Sequence, residues 1–128
     1  MMRKGVKADS RIKFEELFFD GSFDNPLTES QAGKWKDILE AVRYAPSAVN
    51  KQPWRIIVCG DEAHFYEKHH KGFITEDGWD LQKIDMGIAL SHFELSAKEC
   101  GFGVSFGISD PLLPTGENME YIASYTIR

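Results

Sequence analysis

Cysteine is scarce in this chain: Cys59 and Cys100 are its two thiols among 128 residues, and they stand outside any C-x-x-C pairing. A disulfide framework and a cysteine-based zinc finger are therefore not expected. Both thiols, one closing an apolar strand pattern and the other an apolar helix pattern, read as reduced core or near-core groups. Long hydrophobic runs are missing too. Without a stretch of eighteen apolar residues, or a charged-then-apolar leader with a small-residue cleavage site, neither a membrane span nor a secretory signal is expected, and a cytoplasmic location is. Positive charge is not in surplus: the net charge is -5 with 27% charged residues, which favours solubility and argues against a nucleic-acid surface. The local exception is basic Arg3, Lys4 and Lys7, so residues 1–10 read as a flexible, solvated leader.

Two more absences narrow the chemistry. The histidines His64, His69, His70 and His92 include no pair at the i, i+4 spacing of a helical metal site and none beside a cysteine at finger spacing, so they read as surface residues and no metal is expected. No serine sits in a G-x-S-x-G elbow and neither cysteine lies in a nucleophile motif, which leaves covalent hydrolysis unsupported. Gly101-x-Gly103 follows a helical pattern and precedes an extended one, the reverse of the order a dinucleotide fingerprint requires.

What is present is an alternation of helical and extended patterns in one domain, 11–128, whose folding should bury roughly two-thirds of its unfolded surface. Residues 11–19 mix Phe14, Leu17, Phe18 and Phe19 with charges, a short helix or a segment docked on apolar surface. Residues 20–26 read as a loop through Gly21, Ser22, Asn25 and Pro26. Thr28 is a candidate cap, and Trp35, Ile38, Leu39 and Val42 recur at helical spacing, predicting a helix that ends near Tyr44. Residues 55–58 predict a strand, Gly60-Asp61-Glu62 a turn, and 63–69 a second extended piece, with a helix as the alternative. Residues 71–80 read as an exposed loop. From Asp80 or Asp85 a long helix places Met86, Ala89, Leu90, Phe93, Ala97 and Cys100 on one face, with Ile88 and Leu95 widening it, as in a central helix touched on two sides. Gly101 suits a left-handed cap, 103–108 a strand, Pro111 and Pro114 a loop, and 121–127 the last strand. The expected fold class is α+β, a mixed or antiparallel sheet packed against helices.

The chemistry concentrates in Ala45-Pro46-Ser47-Ala48-Val49-Asn50-Lys51-Gln52-Pro53, the corner that joins the first helix to the first strand. Pro46 disfavours helical geometry at Ala45, and Pro53 does the same to Gln52. Ser47, Asn50 and Gln52 offer amide and hydroxyl groups suited to the edge of a flat, heteroatom-rich ligand. The same residue types also satisfy backbone groups in corners that bind nothing. Trp54 could stack on a ring or belong to the core, and Arg55 could face a ligand anion or a carboxylate. Arg43 and Lys51 flank the corner as candidates for an anionic contact, whereas His92 and Glu94 read as structural.

The string APSAVNKQPWRIIV resembles the helix-to-strand corner of the nitroreductase-like FMN-dependent oxidoreductase family, and Asp85-Met86-Gly87-Ile88-Ala89-Leu90-Ser91-His92-Phe93-Glu94-Leu95 is similar to that family's central helix. With the Glu-Leu-Phe-Phe and Pro-Leu-Thr-Glu lead-in and the closing Tyr-Ile-Ala-Ser-Tyr, the resemblance spans residues 12–127. It is nearest to the later half of a longer single-chain subgroup in which two related halves share one polypeptide. A nitroreductase-like half-domain over 11–128, a partial version of the fold, is what this implies.

The resemblance further implies FMN, with Pro46, Ser47, Asn50 and Gln52 shaping the ring pocket and Ala48 close to it. No catalytic side chain is implied, because the flavin carries the redox chemistry. The implied reaction passes hydride from NAD(P)H through the flavin to an electron-poor acceptor such as a nitroaromatic or a quinone. In the family the site lies at a dimer interface or between two halves, so the implied partner is a second copy, as a homodimer, or a missing half. The family's Arg-Ser-x-Arg segment, which grips the flavin phosphate, is not reproduced by Arg3, Lys4, Lys7, Arg11 and Lys13, so half of a flavin site is expected. The alternatives are a truncated or split noncatalytic half-domain that associates but binds little flavin, and a ligand-sensing module without turnover.

Overall fold

The computed structural model describes residues 10–128, so the basic leader expected over 1–10 lies outside the described residues except for Ser10. Chain order begins with one helical turn, α1 (Phe14–Leu17), that runs directly into a three-residue strand, β1 (Phe18–Asp20). Phe14, Leu17 and Phe18 are buried, which accounts for the docked apolar segment expected there. The strand itself was not expected, since three residues are too few to display an alternation.

Two short 3₁₀ turns, Glu29–Gln31 and Gly33–Trp35, lead into α2 (Lys36–Arg43). Thr28 makes no capping hydrogen bond from its side chain. The expected stripe is fully realised, with Trp35, Ile38, Leu39 and Val42 all buried. The helix stops at Tyr44, ahead of Pro46. β2 (Trp54–Cys59) and β3 (Glu62–Lys68) form an antiparallel hairpin whose last pair, Cys59 and Glu62, closes across Gly60 and Asp61. Gly60 has φ 58, a left-handed conformation that glycine adopts without strain. The extended alternative for 63–69 is thus the one adopted.

α3 (Gln82–Glu99) ends in a left-handed Gly101 at φ 92. The Gly101 N–H donates to Lys98 O and the Phe102 N–H to Ala97 O, both at 3.0 Å, the paired bonds of a Schellman cap. β4 (Val104–Gly107) and β5 (Met119–Ile127) complete a five-stranded sheet of order β1-β2-β3-β5-β4. β1 runs parallel to β2, and every other pair is antiparallel.

α2 and α3 pack on one face of this mixed sheet. Period-two alternation sends Ala63 and Phe65 of β3 into the core beneath the helices. Phe93 of α3 stacks on Tyr125 of β5 with centroids 4.9 Å apart and meets Phe65 edge-on at 5.3 Å. The α+β class and the mixed sheet are therefore as the residue patterns predict. Two readings need correction. Cys100 is exposed rather than near-core, because it caps α3 where the chain turns away, and Cys59 is only half-buried. Leu95 is 61% exposed, so the second apolar side of α3 faces outward in this chain.

Candidate functional site

The corner between α2 and β2 contains three departures from ordinary backbone. Val49, Asn50 and Gln52 have φ of 52, 53 and 49, the left-handed region that a non-glycine residue enters at a cost of roughly 1–2 kcal/mol. Asn tolerates this region because its short amide can bond locally. A β-branched valine does not, and Val49 is also 80% exposed, so burial gives it no compensation. Backbone strain of this kind concentrates where a site holds its chain in a particular shape.

The polar side chains hold that shape. The Ser47 hydroxyl accepts from the Gln52 N–H at 2.8 Å. Gln52, buried at 3% exposure, accepts from the Ile12 N–H at 2.9 Å and donates to the Asn50 carbonyl at 3.0 Å. The Asn50 amide donates to the Ser10 carbonyl at 2.8 Å. Arg55, also buried, donates to the Gln52 carbonyl at 2.8 Å and the Trp54 carbonyl at 2.7 Å. Desolvation pulls its pKa down to about 10 despite the Glu16 charge nearby. Arg55 thus anchors backbone rather than a ligand, and Trp54 is fully buried in the core.

From below, α3 supports the corner through Asp85. Its Oδ1 accepts from the Ala48 N–H at 3.1 Å, while Oδ2 is buried without a hydrogen-bond partner. Burial raises the carboxyl pKa, and the Ala48 bond opposes that rise. Sequence reasoning did not single out Asp85 as a site residue. Its signal was available, since an acidic residue in the first turn of an otherwise apolar helix stripe needs a donor.

The structure therefore brings Pro46, Ser47, Ala48, Asn50 and Gln52 together and sorts them by role. Gln52 is buried scaffolding, Ser47 and Asn50 are half-buried braces, and Pro46, Ala48 and Val49 face outward. The backbone N–H groups of Ser47 and Val49 have no acceptor among the described residues. The outward surface is consequently apolar side chain interspersed with backbone donors, a combination that fits the face and polar edge of a flat heterocycle. Sequence reasoning also missed that Ser10 to Ile12 dock against this corner. Arg11 and Arg43 both lie over the Tyr44 ring, at 5.7 and 5.2 Å from its centroid. Arg43 is committed to the Ile12 carbonyl at 2.8 Å, and Lys51 is exposed beside the corner.

A second polar centre joins β3, β5 and the start of α3. The Lys83 ammonium lies 2.8 Å from Glu67, 3.1 Å from Asp80 and 2.8 Å from Glu120. His69 bridges Glu67 at 3.1 Å and Glu120 at 2.9 Å. Glu67 is fully buried, and desolvation lifts its pKa to about 7 against the pull of Lys83. With an ammonium at its centre, this cluster is an ion network that clasps three elements. The surface reading holds for His69 but not for His64, which is 3% exposed, because alternation on β3 places it beneath the loop that follows β4.

Comparison with known proteins supplies the rest. No curated protein sequence matches the chain. Among solved structures, a nitroreductase family protein from Clostridium novyi NT is 20% identical with a TM-score of 0.64, covering 99% of this chain and 84% of that one. An FMN-dependent nitroreductase from Clostridium difficile R20291 is 15% identical with a TM-score of 0.56, over 95% of this chain and 83% of that one. An oxidoreductase containing FMN is 16% identical with a TM-score of 0.62, over 99% and 81%. At these identities the likeness is one of fold. The family model described as "Putative TM nitroreductase" matches residues 25–97, from the loop after β1 through the corner to the last turns of α3. That match spans more than half of the sequence, and the chain belongs to this nitroreductase family.

Proposed function

We propose that this protein is an FMN-dependent NAD(P)H oxidoreductase of nitroreductase type, delivering hydride to an electron-poor acceptor such as a nitroaromatic or a quinone. The observation that carries this reading is the strained corner at Val49 and Asn50, in a member of a family whose solved fold neighbours include FMN proteins. Bound flavin supplies the redox chemistry, and the chain's residues supply position. Pro46, Ala48 and Val49 would lie against the ring, the Ser47 and Val49 N–H groups would meet its polar edge, and Ser47, Asn50 and Gln52 hold the shape of the loop. With Arg43 engaged by the Ile12 carbonyl, Lys51, exposed beside the corner, would be the cation to meet a phosphate.

The partner in this reading is a second copy. Leu81, which precedes α3, and Ile84 and Leu95 on it form an apolar stripe more than 40% exposed at each position, while Ile88 between them packs partly against the core. Such a stripe suits helix-to-helix packing, which would cover the α3 face next to the corner.

Equilibrium titration with FMN, followed by flavin absorbance and fluorescence, tests the cofactor assignment. Saturable one-to-one binding is expected. Asn50→Ala should weaken it about tenfold, equivalent to about 1.4 kcal/mol, because it removes the Ser10 bond and puts alanine in a left-handed conformation. NADH and NADPH oxidation with and without a quinone then separates an enzyme from a ligand sensor. A folded chain that leaves FMN free overturns the proposal in favour of a noncatalytic half-domain.

A further inference from the structure

We propose that Ser124 is a base-activated nucleophile that takes a short acyl group from a carboxylic ester, in a site on the sheet face opposite α3. The group rests on a chain of hydrogen bonds. The Ser109 N–H donates to the Tyr121 hydroxyl oxygen at 2.8 Å. Tyr121 and Ser124 hydroxyls lie 2.6 Å apart, and Ser124 Oγ is 2.6 Å from His64 Nδ1. His64 Nε2 in turn lies 3.3 Å from Glu62 Oε1. Either hydroxyl of the Tyr121–Ser124 pair can donate; with Tyr121 donating, Ser124 Oγ keeps its proton for His64 Nδ1 at 2.6 Å, the Ser109 carbonyl at 3.4 Å being the more distant acceptor. The other ring nitrogen carries its proton toward Glu62. This is the nucleophile, base and orienting carboxylate arrangement of an activated serine, assembled here across two paired strands, since His64 and Ser124 are register partners on β3 and β5.

An independent feature places space beside the serine. A cavity of about 110 Å³ is lined by His64, Ser124, Ser105, Gly107, Ser109 and Thr126 among others. Gly107 is the β4 partner of Ser124, and the space where its Cβ would stand is open. The space admits a short acyl group. His64 and Ser124 are 3% and 6% exposed, which limits competing hydration of the base.

In the step itself, Ser124 Oγ bonds to the ester carbonyl carbon as the bond to the leaving oxygen breaks. The serine proton passes to His64 Nδ1 and on to the departing alcohol, and water then hydrolyses the acyl-serine with His64 as base.

The test is to incubate the full chain with p-nitrophenyl acetate, follow p-nitrophenolate release, and map acetyl groups by peptide mass spectrometry. One acetyl on Ser124 is expected, with Ser124→Ala removing that adduct and its burst. Glu62→Gln, at a half-exposed position where folding is undisturbed, should slow acylation at least about tenfold. A folded wild-type chain acetylated only on lysines overturns the proposal, as does a Glu62→Gln chain that reacts at the wild-type rate.

Discussion

Val49 shows how one residue can record a constraint that its own contacts do not explain. It is 80% exposed and holds φ 52, so its side chain neither fills the core nor relieves the turn. Val49→Asn should therefore raise stability by about 1 kcal/mol, since asparagine enters this region more easily. A shift of the urea midpoint to higher concentration at unchanged slope is the expected reading, and an unchanged midpoint would sink the strain argument. The residue scale is also where sequence reasoning reached its limit. The types at Ser47, Asn50 and Gln52 announce a polar corner, but not that their side chains turn inward to Ser10, Ile12 and the loop's own backbone. The bonds to Ser10 and Ile12 join residues 40 positions apart, and no local pattern encodes them.

Among the elements, α3 was legible in outline and misread in its faces. Met86, Ala89, Phe93 and Ala97 were placed correctly in the core, and Gly101 was identified as the cap. Leu95 was assigned to the same broad surface, because apolar residues on opposite sides of a helix cannot be told apart without knowing what covers each. Gly101→Ala should cost about 1 kcal/mol, as alanine pays for φ 92 where glycine does not, and lower the melting temperature by roughly 4 °C. The outward stripe makes a separate prediction. Ile84→Glu with Leu95→Glu should leave circular dichroism unchanged and convert a dimer to a monomer in light scattering; a chain that is monomeric before mutation rules out the pairing. Short β1 escaped sequence reasoning altogether, while β2, β3 and β5 were legible from β-branched and aromatic alternation.

For the whole molecule, the Glu67 network makes stability depend on pH in a defined direction. Glu67 titrates near 7 when folded against 4.5 for a free side chain. The folded state therefore holds its proton more tightly, so the contribution is full below pH 4.5 and is lost as pH rises through about 7. His64 and His70 act in the opposite sense, since burial lowers both and acidification destabilises them. Comparing wild type with Glu67→Gln isolates the carboxyl. The wild-type melting temperature should fall relative to the variant across that window, and parallel curves would remove Glu67 from the account.

The first described residues are fastened at two places: Ser10 and Ile12 to the corner, and β1 to the edge of β2. Proteolysis between Ile12 and Phe18 would sever the covalent link between the two attachments. The short Ser10–Ile12 piece, held by a few hydrogen bonds alone, would then leave and release the Asn50 and Gln52 side chains, so a nicked chain should keep its sheet and lose the shape of the corner.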